Sequence, residues 1–207
     1  MKKPFIPAPR IPGYAPCEYL LVIRPHEDLC HRIQELRKEF AAACDRTETV
    51  SGTPNITLVK FTQYEVAEPR VMNRIRMIAM GLPAFKIDLA NFGSLPSHTI
   101  YFEITNKATV TGLVKPFKQV QQLLTLNKDH KPFFNADPFI ALGRQLLPWQ
   151  YEKGWLEYSN RHFSASFIAR ELLLLKRPEG LKAYSPCNRF PLMNLPVVTK
   201  QGQLFYE

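Results

Sequence analysis

Proton transfer near neutral pH is the natural work of imidazole, and this 207-residue chain carries five histidines. Two stand where chemistry is possible. His98 opens Ser97-His98-Thr99-Ile100-Tyr101, at the start of a strand-like run. His162 begins His162-Phe163-Ser164, a spacing that sets an imidazole and a hydroxyl on one face of a strand. His26 and His31 fall on a helical stretch at a spacing unsuited to shared metal binding, and His130 lies in the polar loop Asn127–Lys131. A repeated frame is more informative than any single histidine. Pro54-Asn55-Ile56-Thr57-Leu58 and Pro138-Phe139-Ile140-Ala141-Leu142 each hold proline, a variable residue, isoleucine, a small residue and leucine. Strand alternation puts Asn55 with Thr57 on one face, and Phe139 with Ala141 likewise, while Ile56, Leu58, Ile140 and Leu142 face the other way. Asn55 can donate and accept hydrogen bonds but does not titrate near pH 7, and Phe139 and Ala141 bring no polar group. Arg144, just past the second frame, adds a cation able to meet a phosphate or to form a surface ion pair.

The frame resembles Pro-His-Ile-Thr-Leu, which occurs twice per chain in the two-histidine phosphoesterases, the superfamily of 2'-5' RNA ligases and cyclic phosphodiesterases. Gly143-Arg144 continues the second copy as the family's Leu-Ala-Arg does, Pro96–Ile104 resembles the family strand before the second lobe and Phe163–Lys176 the late family strand, so the likeness spans roughly residues 18 to 195. It implies an α+β fold: two pseudo-symmetric lobes whose antiparallel sheets form a central cleft, with helices packed outside. It also implies a reaction at a 2',3'-cyclic phosphate or a 2'-5' linkage, with one histidine as base, the other as acid, threonines on the phosphate oxygens, and no metal or cofactor. Asn55 and Phe139 stand where the resemblance places the histidines, and Ala141 where it places the second threonine. If acid and base each contribute about 10²–10⁴-fold, their joint loss abolishes useful turnover. The expectation is an inactive relative whose cleft binds nucleotide or RNA phosphate through Thr57, Arg144, His98, Tyr101 or His162. An alternative register takes His162-Phe163-Ser164 as the second motif. Two other readings stay open: an active phosphoesterase using a relocated His98 or His162, and an interaction scaffold with a vestigial cleft.

Composition is compatible with this. Hydrophobic residues make up 45% and charged residues 22%, the mix of a soluble globular chain with a core of its own. No apolar run is long enough for a membrane span, which suggests a cytoplasmic protein. The net charge of +9 favours polyanionic partners, although the basic residues are spread along the whole chain. Cys17, Cys30, Cys44 and Cys187 show neither metal-ligand nor redox spacing, so free thiols are expected. Nothing in the composition fixes the oligomeric state.

The elements that must position the frame follow from periodicity. Residues 1–16 hold five prolines and predict an extended arm ahead of a single bilobal domain over residues 17–207. Strands are expected at Glu18–Ile23, Thr53–Phe61, Phe85–Ala90, His98–Thr105, Pro138–Arg144, Phe163–Arg177 and Cys187–Leu195. Helices are expected at His26–Ala43, Pro69–Met80 with Gly81 as a left-handed stop, Thr109–Leu124 with Pro116 inside, and Pro148–Tyr158. Trp149, Tyr151 and Trp155 on the last helix can stack bases, but their spacing suits packing better.

Overall fold

The computed structural model describes residues 13–46, 50–96 and 98–196. Most of the expected arm (residues 1–12) and the end of the expected domain (residues 197–207) lie outside the described residues. Fifteen elements follow in order, one of them a short 3₁₀ turn at Glu65–Ala67: β1 (Pro16–Ile23), α1 (Glu27–Ala43), β2 (Ile56–Tyr64), α2 (Glu68–Met80), β3 (Phe85–Leu95), β4 (Thr99–Ile104), α3 (Lys107–Lys118), α4 (Gln121–Leu124), β5 (Phe133–Phe134), β6 (Ile140–Gly143), α5 (Pro148–Tyr158), β7 (Ser164–Ala169), β8 (Glu171–Pro178) and β9 (Ser185–Pro191).

The strands form two sheets, β5-β2-β1-β8-β9 and β6-β4-β3-β7, and every pairing is antiparallel. Each sheet therefore receives one copy of the repeated frame, on β2 and on β6. This is the expected α+β architecture with antiparallel sheets. The helices exchange partners between the sheets. α1 follows a strand of the first sheet yet packs on β6 of the second, while α3 and α4 follow a strand of the second yet pack on β2 of the first. A large hydrophobic core runs through both sheets as a result, with Tyr19, Phe40, Phe102, Phe117, Tyr158 and Phe190 fully buried, and a smaller cluster of Val22, Leu173 and Leu175 lies apart from it.

Local chemistry explains the helices. Glu27 and Asp28 place negative charge in the first turn of α1, and Leu29, Ile33 and Phe40 form its buried stripe. Pro69 and Pro148 sit in the first turns of α2 and α5, where a missing N–H costs nothing. The Leu147 N–H donates to Gln150 Oε1 at 3.1 Å, satisfying one more donor at the start of α5.

Several boundaries differ from expectation, each for a physical reason. Pro16 is the first residue of β1 rather than the end of an arm, and the carbonyls of Gly13 and Ala15 accept from the Val66 and Glu65 N–H groups. Gly81 ends α2 at φ −81°, so no left-handed cap is used. Gly93-Ser94-Leu95, beyond the expected strand Phe85–Ala90, is strand as well, because β3 resumes after a bulge between Leu89 and Phe92. Asn91 takes φ 59° there, its N–H donating to the Phe163 carbonyl at 2.7 Å. Pro116 is accommodated inside α3, and the chain breaks at Gln119–Val120 before the single turn α4. The expected strand Phe163–Arg177 is two strands, with the chain crossing from one sheet to the other at Arg170.

Candidate functional site

Two hydrogen-bonding side chains bring the repeated segments together. The buried Arg37 of α1 donates from Nε to the Ala141 carbonyl at 3.0 Å and from Nη1 to the Gly52 carbonyl at 3.1 Å. It therefore ties the second motif strand to the loop that leads into the first. Asn135, half-buried, donates from Nδ2 to the Thr57 carbonyl at 2.8 Å, and its backbone N–H donates to the Leu58 carbonyl at 2.9 Å. β5 pairs with β2, and from it the chain reaches Phe139 within a few residues. Arg37 and Asn135 thus hold the backbone around both copies of the frame close together.

The first segment keeps its polarity. Ile56 and Leu58 are fully buried in the core, while Asn55 and Thr57 are half-buried on the opposite face. Asn55 turns its Nδ2 to the Thr53 carbonyl at 3.0 Å. A bulge opposite Leu21/Val22 leaves Leu58 and Val59 both in the core and resets the alternation beyond them. Ile23 pairs with Ile56, so Arg24 stands opposite Asn55, and its Nε is buried without a partner among the described residues.

The second segment is aromatic. The Phe139 ring stacks on Tyr101, with centroids 4.6 Å apart and 28° between the planes. Tyr101 pairs across the sheet with Gly93 on one side and Ala141 on the other, and these two small residues leave room for its ring. A Cβ on Gly93 would lie 2.5 Å from Tyr101 Cε2. Burial pushes the Tyr101 hydroxyl pKa up. Cations cover the pair: the Arg144 guanidinium lies 5.5 Å from the Phe139 centroid, and Lys107 Nζ lies 5.7 Å from that of Tyr101. Lys107 is in turn held by Asp137 at 3.0 Å.

Electrostatically the region is positive. Arg37 is 5% exposed and has no carboxylate partner among the described residues. Burial, and secondarily the charge of Arg144, lower its pKa to about 10, so it remains charged at neutral pH. It spends two of its five N–H donors on carbonyls and keeps three. Such an arrangement can hold an anion and present an aromatic face, but the frame positions offer no group that exchanges protons near pH 7.

The histidines stand elsewhere. His98 is exposed at the start of β4; its Nδ1 lies 2.7 Å from Thr99 Oγ1 and its carbonyl accepts from the Leu146 N–H. That is the Gly143 end of β6, about 13 Å of strand rise from Phe139. His162 is exposed ahead of β7, the sheet edge opposite β6, and is not part of the strand that the alternative register requires. Neither joins Asn55 and Phe139. Of the expected residues, Tyr101 and Arg144 do lie beside Phe139. On α5, Tyr151 and Trp155 pack against the core, with the Tyr151 hydroxyl donating to Ser94 Oγ, and Trp149 is exposed.

Sequence reasoning missed Arg37, Arg24 and Asn135. Arg37 was signalled: it falls four after Ile33 and three before Phe40, on the apolar stripe of α1, where an unpaired arginine calls for an explanation. Arg24 emerges only from the β1–β2 register, and Asn135 only from the β5 pairing.

A family model described as the 2'-5' RNA ligase superfamily matches residues 25–181. No curated protein matches the chain. Among solved structures, Escherichia coli LigT complexed with 3'-AMP is similar at TM-score 0.60 and 16% identity, over 86% of this chain and 98% of that one. The same protein complexed with NADP+ is similar at TM-score 0.53 and 13% identity over the same shares. Thermus thermophilus TT0787 is similar at TM-score 0.52 and 14% identity, over 85% of this chain and 98% of that one. At these identities the structural likeness concerns the fold.

Proposed function

Because the chain belongs to the 2'-5' RNA ligase superfamily, we propose that its cleft holds the phosphate of a nucleotide without transferring protons to it. One observation carries this reading: at the second frame position a phenylalanine ring is stacked on Tyr101 beneath the Arg144 guanidinium. Phosphodiester cleavage by the family's route needs a base to take a proton from the attacking hydroxyl and an acid to give one to the leaving oxygen. Asn55 and Phe139 do neither. What remains suits binding. Arg24, Arg37 and Arg144 supply charge and N–H donors, Asn55 and Thr57 supply an amide and a hydroxyl, and the Tyr101–Phe139 pair supplies a surface for a base. The buried Arg37 costs desolvation energy that a bound anion would offset. The structures of LigT with 3'-AMP and with NADP+ make a nucleotide the natural first ligand to try.

The test pairs an activity assay with a binding assay. Purified protein should leave 2',3'-cyclic nucleotides and 2'-5'-linked dinucleotides intact, yet bind 3'-AMP with an affinity that drops in Arg144→Ala. Turnover that disappears in His98→Ala or His162→Ala would establish a relocated catalyst and overturn the reading.

A further inference from the structure

The strand that presents Thr57 to the cleft turns a different side chain to the opposite face. Beyond its bulge, β2 directs Gln63 into the helical layer, where Nε2 donates to the Leu123 carbonyl at 3.0 Å and Oε1 accepts from the Tyr64 N–H at 2.9 Å. Above Gln63 lies a groove of about 690 Å³ between α2 and the α3–α4 break. Arg70, Asn73 and Arg74 line it from α2, and Gln119 and Gln122 line it from the break.

The lining contains no carboxylate. The acids at the start of α2, Glu65 and Glu68, are both engaged by Lys176, at 2.7 and 2.6 Å. Neither Arg70 nor Arg74 has a carboxylate within 4 Å among the described residues, and both are exposed. They are one helical turn apart on the same face of α2, so two guanidinium forks can meet successive phosphates. Amide side chains between them can donate to and accept from sugar hydroxyls and base edges, including a 2'-hydroxyl. The apolar side chains of the lining are Ala67, Val120 and Leu123, none of them an aromatic anchor of the sort that dominates protein–protein interfaces. A volume of that size exceeds what a lone phosphate fills.

We infer that this groove is a second, cleft-independent binding surface for the sugar–phosphate backbone of single-stranded RNA. It serves the chain's net charge of +9 and lies on the far side of the sheet from Thr57. Its existence does not depend on whether the cleft binds a nucleotide.

The experiment uses the full chain and a fluorescein-labelled oligouridylate of about twelve nucleotides, long enough to cover several phosphates. Fluorescence anisotropy is followed at several salt concentrations. Wild-type affinity should fall steeply with salt. The double variant Arg70→Gln, Arg74→Gln should bind at least about tenfold more weakly at low salt. Its log–log salt slope should be shallower by about 1.4, or about 0.7 for each phosphate left without its arginine. Both positions are exposed on a helix and glutamine is a good helix former, so an unchanged thermal melt separates loss of binding from loss of fold. Excess 3'-AMP should leave the oligonucleotide bound. Three results overturn the inference: an unchanged slope in the double variant, full displacement by 3'-AMP, which places RNA in the cleft instead, or competition by polyglutamate as effective as by RNA, which marks a surface for acidic protein.

Discussion

The two motif segments share a sequence frame and the same division of faces, yet one is polar where the other is a packing surface. Around Asn55 and Thr57 the neighbours are Arg24, the Asn135 amide and half-solvated strand. Around Phe139 and Ala141 the neighbours are the Tyr101 ring and the small Gly93 beside it. Core positions are held alike in both: Ile56, Leu58, Ile140 and Leu142 are all essentially inaccessible. The difference shows that a fold's framework residues and its chemistry residues answer to separate constraints. Ile and Leu in the frame are kept by packing, and a change of size or polarity there costs stability. The alternate positions point away from that core, so a change there can leave the core intact.

The largest expected effect comes from converting the second segment into a catalytic partner for the first. Asn55→His with Phe139→His and Ala141→Thr should raise 2',3'-cyclic nucleotide hydrolysis by about 10²-fold or more over background, whereas Asn55→His alone should not. A direct hydrolysis assay decides between them, and activity in the single variant would break the comparison. Next comes the residue that couples the segments. Arg37→Ala leaves the buried Ala141 carbonyl without its donor, and a loss of about 2 kcal/mol is expected from urea denaturation. A loss below about 0.5 kcal/mol would mean that the bridge is not what holds the segments together.

The aromatic side yields intermediate effects. Gly93→Ala drives a methyl into the Tyr101 ring, so a cost of about 1–3 kcal/mol and a changed near-ultraviolet tyrosine signal are expected. Phe139→Ala removes one stacked ring and should cost about 1–2 kcal/mol. The smallest effect belongs to the polar side. Thr57→Val should shift stability by no more than about 0.5 kcal/mol, since the side chain is half-buried outside the core, while weakening 3'-AMP binding measured by calorimetry. If Thr57→Val cost as much as Gly93→Ala, the two segments would be packed alike.

Much of the fold could be read in advance because periodicity is local. The stripe Leu29, Ile33 and Phe40 announced α1, and alternation from Phe85 to Leu89 announced β3. Reading stopped at Ala90 because the bulge at Asn91 shifts the alternation, a change that pairing with Phe163 stabilises and that no local pattern signals. The division of Phe163–Arg177 between sheets was hidden for a similar reason: an extended run looks the same whether it feeds one sheet or two.

The candidate site divides in the same way. Residue identity alone established that the frame carries Asn55 and Phe139, and that Ile and Leu between them must face a core, because chemistry and alternation are properties of single residues and short runs. Which cations surround the frame was a matter of tertiary structure. Arg37 reaches Ala141 from a helix that follows a strand of the other sheet, and Arg24 comes near Asn55 only because Ile23 pairs with Ile56. Hydrogen bonds that join residues about a hundred positions apart leave no periodic trace. Their partners are chosen by how the sheets and helices pack, and only the folded chain decides that.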